Sequence, residues 1–109
     1  MSTPCYVVAT IELAVELGQY FEEYGMAVVS QIAANGGEVL AATTDLNALE
    51  GDIGKTDYMV IVRFPDNASM ERWYNSSEYQ PYIKLRQDKL TRSGAIVQLP
   101  GFDPAALAS

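Results

Sequence analysis

The segment Asp57 to Phe64, DYMVIVRF, constrains the fold of this chain more than any other. In an extended strand Tyr58, Val60, Val62 and Phe64 fall on one side and Met59, Ile61 and Arg63 on the other. Both sides are apolar except at Arg63, so neither suits a solvated face. Cys5 to Ile11, CYVVATI, repeats the pattern, with Val7, Ala9 and Ile11 opposite Tyr6, Val8 and Thr10. Its β-branched and aromatic content marks a second strand of the same kind. Glu38 to Thr43 and Ala95 to Leu99 (AIVQL) read as two shorter strands.

Helical periodicity fills the gaps between them. From Glu16 to Asn35 the apolar positions Leu17, Phe21, Tyr24, Val28 and Ile32 form one stripe, and Gly36-Gly37 supplies the left-handed residue that ends a helix. Asp45 to Thr56 is rich in Asp, Asn and Gly and reads as a connection that turns at Glu50-Gly51-Asp52, anchored by Leu46, Leu49 and Ile53. Pro65-Asp66-Asn67 stops the third strand and offers an N-cap to a short helix carrying Met70, Trp73 and Tyr74. Asn75-Ser76-Ser77 interrupts that helix. Ser77 and Gln80 read as a capping box for the next helix, with Pro81 in its first turn and Tyr79, Ile83 and Arg86 or Leu90 facing inward. Gly94 ends the last connection before the fourth strand.

The resulting order, β-α-β-β-α-β, predicts an α+β, ferredoxin-like domain: a four-stranded antiparallel sheet with both helices on one face. The 109 residues make one domain (1–109), with a core over 5–99 and a flexible tail over 102–109. Four strands that are apolar on both sides, against a single layer of helices, leave one face to cover. A second copy placed sheet to sheet covers it most simply, so a homodimer closing an α/β barrel is expected.

Composition narrows the chemistry. The chain has no histidine, which removes imidazole-based zinc sites, a proximal-histidine haem and the Ser-His-Asp and Cys-His nucleophiles. No metal and no cofactor are expected. Seven basic against 14 acidic side chains give an acidic protein of net charge −7, a poor partner for nucleic acid. Met1-Ser2-Thr3-Pro4 lacks the cationic start of a secretory leader and no long apolar run suits a membrane span, so a cytoplasmic protein is expected. The single cysteine, Cys5, reads as a small apolar residue opening a strand. Glu12, Glu16, Glu22 and Glu23 read as solvated surface rather than metal ligands.

The run Trp73-Tyr74-Asn75-Ser76-Ser77-Glu78-Tyr79-Gln80, followed by Arg86, resembles the W-Y-x-S-x-E-Y-Q…R signature of domain-of-unknown-function family 1330, small bacterial proteins of the dimeric α/β-barrel superfamily. Gly36-Gly37, Glu50-Gly51 and Phe64-Pro65 add to the likeness, which covers about Tyr6 to Leu99. It implies the fold and the dimer; the family has no established activity. Two positions depart from its pattern. Ala42-Thr43-Thr44 stands where relatives carry Arg-Gly-Gly after strand two, and Arg63 where they carry a glutamate.

The candidate ligand-binding residues are Trp73, Tyr74, Tyr79 and Arg86 on the broken second helix, with Tyr58, Arg63 and Glu50 on or beside strand three. Tyr79 and Arg86 are two turns apart on one helix face, so a guanidinium can meet a carboxylate or enolate there with a tyrosine as donor. The same residues also suit a structural role, as boundary aromatics and an arginine paired within the protein. Arg63, in an apolar strand, needs either a carboxylate such as Glu38 or Glu50, or an anionic ligand. No catalytic residue is assigned. Three functions follow. One is binding of a small organic molecule, aromatic or carboxylate, between sheet and helices. The second is a cofactor-free monooxygenase- or isomerase-like enzyme, as the resemblance to the wider superfamily implies. The third is a non-catalytic, stress-related dimeric module. An enzyme predicts a pocket above a few hundred Å3 with Arg63 or Arg86 facing into it.

Overall fold

The structure, a computed structural model, describes residues 3–105. The chain runs β1 (Cys5–Leu13), α1 (Leu17–Tyr20), a π-helical turn (Phe21–Gly25), α2 (Met26–Ala34), β2 (Glu38–Thr43), β3 (Tyr58–Phe64), α3 (Asn67–Tyr74), α4 (Gln80–Leu85), a second π-helical turn (Arg86–Leu90) and β4 (Thr91–Pro100). The strands form one sheet in the order β2-β3-β1-β4, every neighbouring pair antiparallel. This is the ferredoxin-like α+β arrangement that the element order implies. Among the described residues no helix is long and apolar enough to cross a membrane.

Register divides the sheet into two faces. Val7 lies opposite Val62, Ala9 opposite Val60 and Ile11 opposite Tyr58, and these residues meet the helices. Cys5, Phe64, Val28, Ile32, Met70, Trp73, Tyr79 and Leu90 complete that core. Phe64 and Leu90 are fully buried; each contributes about 1.5–3 kcal/mol through the apolar surface taken from water. On the other face Tyr6, Val8 and Thr10 of β1 pair with Arg63, Ile61 and Met59 of β3 and with Leu99, Val97 and Ala95 of β4. That face is apolar across its middle and nothing among the described residues covers it; Val97 and Leu99 are among its exposed residues.

Several local expectations are corrected. The first helix does not bury Leu17 and Phe21, which are exposed; Tyr20 is buried instead, in line with Tyr24, Val28 and Ile32. The π turn is the reason: a wider turn carries more than 3.6 residues, so positions four apart stay on one face. The expected capping box at Ser77 and Gln80 does not form. Ser76 Oγ accepts from the Tyr79 N–H at 3.2 Å and Gln80 Nε2 donates to the Tyr74 carbonyl at 2.8 Å, bridging the break between α3 and α4. Gly94 lies inside β4 rather than before it, because β4 begins at Thr91; a Cβ there would stand 2.4 Å from the Thr10 carbonyl oxygen. Leu49 and Ile53 do not anchor the connection after β2, since both are exposed. The tail expected over 102–109 lies outside the described residues from 106 onward.

Other features match their sequence signals. Asp66 caps α3, its Oδ1 accepting from the Ser69 N–H at 2.8 Å. Gly36 follows α2 with φ of 84°, and its N–H donates to the Ala33 carbonyl while that of Gly37 donates to Ile32, closing the helix end.

Candidate functional site

Between the helices and the sheet lies a cavity of about 110 Å3. Val7, Ala9, Val60 and Val62 form its floor, and Val28 and Ile32 its roof. Phe21 and Val29, both also exposed, place its mouth beside the edge strand β2, whose Val39 and Ala42 contribute to the wall. Tyr20, Tyr24, Tyr58, Tyr79 and Trp73 supply the rest. Alternate residues of β1 and β3, with Val39 and Ala42 from either side of the register shift in β2, therefore make the sheet side, and the helical rod carrying the first π turn makes the other.

The aromatic side chains form one connected cluster. Tyr20 packs on Tyr24 with ring centroids 5.1 Å apart and edge-on to Tyr58 at 5.6 Å. Trp73 lies against Tyr79 at 4.3 Å and stacks on Phe64 at 5.6 Å. Such geometry suits rings whose faces are negative and edges positive. The Tyr24 and Tyr79 hydroxyls form a buried hydrogen bond of 2.6 Å.

Arg86 is buried beside this pair, at the start of the second π turn. Its charge acts on the titration of the Tyr24 and Tyr79 hydroxyls. Among the described residues it forms no ion pair, and its Nε has no acceptor. Burial raises the pKa of Tyr20, Tyr24 and Tyr79 above the ordinary phenol value, and the nearby Arg86 charge offsets only part of that rise. Burial raises Tyr58 in the same direction. All four hydroxyls therefore stay protonated at neutral pH. Burial opposes the charge on Arg86, but the surrounding phenols of Tyr24, Tyr79 and Tyr20 outweigh it and the guanidinium titrates above its usual value. The result is an apolar chamber walled on one side by tyrosine rings, with the bonded Tyr24 and Tyr79 hydroxyls and a buried cation beside them.

The sequence profile of the Domain of unknown function (DUF1330) family matches residues 4–99. This chain belongs to the DUF1330 family. No curated protein matches it. Among solved structures, the DUF1330 chain is similar to a protein of unknown function from Rhodopseudomonas palustris, with TM-score 0.74 and 18% identity over 95% of this chain and 86% of the other. It is also similar to SnoaB, a cofactor-independent oxygenase from Streptomyces nogalater, with TM-score 0.63 and 14% identity over 94% and 96% of the two chains. A DABB family protein with a ferredoxin-like fold from Mesorhizobium loti gives TM-score 0.59 and 10% identity over 94% and 100%. At these identities the likeness is one of fold.

Of the residues singled out in the DUF1330 sequence, Tyr58, Trp73 and Tyr79 line the cavity. Arg86 sits one layer behind the wall, against Tyr24 and Tyr79, and is not itself a lining residue. Tyr74 is half-buried, its ring 5.6 Å from that of Tyr79, and borders a separate surface hollow with Met70 and Gln98. Arg63 and Glu50 do not join them. Arg63 is exposed on the open face of the sheet, opposite Glu38 in register but without an ion pair among the described residues, and Glu50 is exposed in the connection after β2. The reason for Arg63 is parity: it shares a face with Met59 and Ile61, not with Val62 and Phe64.

The cavity is also smaller than an enzyme pocket of a few hundred Å3, and neither arginine faces into it directly. Two lining tyrosines were not among the expected site residues. Tyr20 and Tyr24 form, with Val28 and Ile32, a stripe spaced four residues throughout. That regular spacing is the signal; reading it requires a helix with more than 3.6 residues per turn.

Proposed function

We propose that the chain works as a homodimer, joined through the open face of its sheet, and that each copy binds a small organic molecule, aromatic or carboxylate-bearing, in the cavity between sheet and helices. The observation that carries this reading is the cavity itself, lined by aliphatic side chains and by the rings of Tyr20, Tyr24, Tyr58, Trp73 and Tyr79. The side chains around this apolar space of about 110 Å3 lack packing partners on one side and lose dispersion contacts there. A ligand of one ring or a short branched chain recovers that loss. The dimer rests on Tyr6, Val8, Met59, Ile61, Val97 and Leu99, a contiguous apolar sheet face that water covers poorly.

A cofactor-free oxygenase is the second reading, supported by the fold likeness to SnoaB. It is weakened by the lining of the cavity, which includes no carboxylate to take a proton. Ligand binding without chemistry asks less of these residues.

The test is a thermal-shift screen with single-ring aromatics and short carboxylic acids on the wild type and on Ala9→Leu. Ala9 is buried on the cavity floor, so leucine there fills the space a ligand would use. Ligand-dependent stabilisation of the wild type that is lost in Ala9→Leu is expected. No stabilisation by any compound, or equal stabilisation of both proteins, would refute cavity binding.

A further inference from the structure

We infer that the cavity selects acids over neutral molecules of the same shape, and that Tyr24, Tyr79 and Arg86 together form the subsite for the anionic oxygen. The inference rests on the cavity-binding function proposed above and adds the charge of the ligand.

It follows from an inventory of protons. Tyr24 and Tyr79 carry one hydroxyl proton each, and one of the two lies in the 2.6 Å bond between their oxygens. The other has no acceptor among the described residues. Arg86 adds only donors, because a guanidinium accepts nothing, and it is buried where its charge acts on the same two hydroxyls. Its Nε–H is buried without a partner, as is the Nε1–H of Trp73, whose ring packs on Tyr79. The group therefore has donors in excess, a net positive charge and no carboxylate.

Natural interiors rarely leave a buried cation unpaired, since its desolvation is offset only by an opposite charge or a full set of hydrogen bonds. A protein carboxylate on the neighbouring elements would meet that need, but the two ion pairs of the described residues, Lys84 with Asp88 and Lys89 with Glu23, both lie at the surface. With none among the described residues, the missing partner is an acceptor from outside them, entering through the apolar space that Tyr24 and Tyr79 line. A carboxylate oxygen accepts the spare phenolic proton directly, while Arg86 behind the hydroxyls stabilises its charge through a poorly solvated layer. The body of the acid must be apolar and small, because the remaining lining is aliphatic and aromatic.

The experiment compares pairs that differ in charge but not in shape: benzoate with benzamide, and isovalerate with isovaleramide, titrated calorimetrically into the wild type, Arg86→Met and Tyr24→Phe. In the wild type each acid is expected to bind about tenfold more tightly than its amide, the worth of a charge-assisted hydrogen bond. Arg86→Met and Tyr24→Phe are expected to reduce that ratio to near one while the amides still bind. If Arg86→Met does not fold, the ratio in Tyr24→Phe decides. Equal binding of acid and amide to the wild type, or an unchanged ratio in the folded variants, overturns the anionic subsite and leaves the cavity-binding function intact. Failure of all four compounds to bind overturns both.

Discussion

The Tyr24 and Tyr79 hydroxyls meet at 2.6 Å across 55 residues of sequence, joining the first π-helical turn to the break between α3 and α4. The bond ties two helical layers together at the wall of the cavity. It also fixes where the donors of that wall stand. Removing either hydroxyl is expected to cost about 1 kcal/mol, the net value of a neutral hydrogen bond. In a double-mutant cycle with Tyr24→Phe and Tyr79→Phe, urea unfolding should give a coupling energy of similar size. Strictly additive losses would mean that the pair contributes nothing as a pair.

Alkaline pH is expected to destabilise the protein from about pH 10 upward. The folded-state pKa values of Tyr20, Tyr24, Tyr58 and Tyr79 lie above the ordinary phenol value, burial being the main cause. Below the unfolded pKa, near 10, both states are protonated and stability is unaffected. Above it the unfolded chain loses protons that the folded chain keeps, so stability falls as pH rises, by at most about 1.4 kcal/mol per pH unit for each tyrosine. Urea midpoints measured across this range should fall more steeply for the wild type than for Tyr20→Phe or Tyr24→Phe. Parallel curves would contradict the assignment.

Gly37→Ala is expected to destabilise the fold by about 1–3 kcal/mol. A Cβ on Gly37 would lie 2.6 Å from Ile32 Cγ2 and 2.6 Å from Phe64 Cε1. Phe64 is fully buried and stacks on Trp73, so it cannot move aside cheaply. Gly18→Ala is the control, since a Cβ there meets nothing within 4 Å. A similar melting temperature for both variants would show that the β2 end of the core is looser than this geometry.

Ile61→Glu is expected to dissociate the proposed homodimer. Ile61 sits at the centre of the open sheet face, opposite Val8 on β1 and Ala41 on β2, and a carboxylate buried there without a partner costs several kcal/mol. Sedimentation should give twice the chain mass for the wild type and the chain mass for the variant. A monomeric wild type would remove the dimer from the proposal.

The sheet was legible in the sequence because a period of two needs no outside information: the side chains of DYMVIVRF alternate whatever packs on them. The faces of the helices were not, because the π turns change the period, and Tyr20 replaces Leu17 and Phe21 at the core. The two arginines show the same divide. Parity places Arg63 with Met59 and Ile61, on the face opposite the cavity, yet composition alone made it look like the more unusual cation. Arg86 could be aligned with Tyr79 from helical spacing. That the arginine lies behind the cavity wall, with Tyr24 of a distant helix joined to Tyr79 there, is a property of three-dimensional packing that no local pattern carries.

The two π turns have a consequence for how this chain is compared with others. Each holds one more residue than the α-helical turn it replaces, so each is an insertion that no loop absorbs. Tyr20 and Tyr24 bracket the first, and Arg86 opens the second. Deleting one residue between Phe21 and Gly25 would restore an ordinary helix in which Tyr20 stands 11 rather than 12 residues before Ile32, within about 20° of the same face, so its side chain would keep its place on the cavity. A one-residue alignment gap inside this helix of a related sequence therefore marks the loss of a π turn and not of a cavity wall.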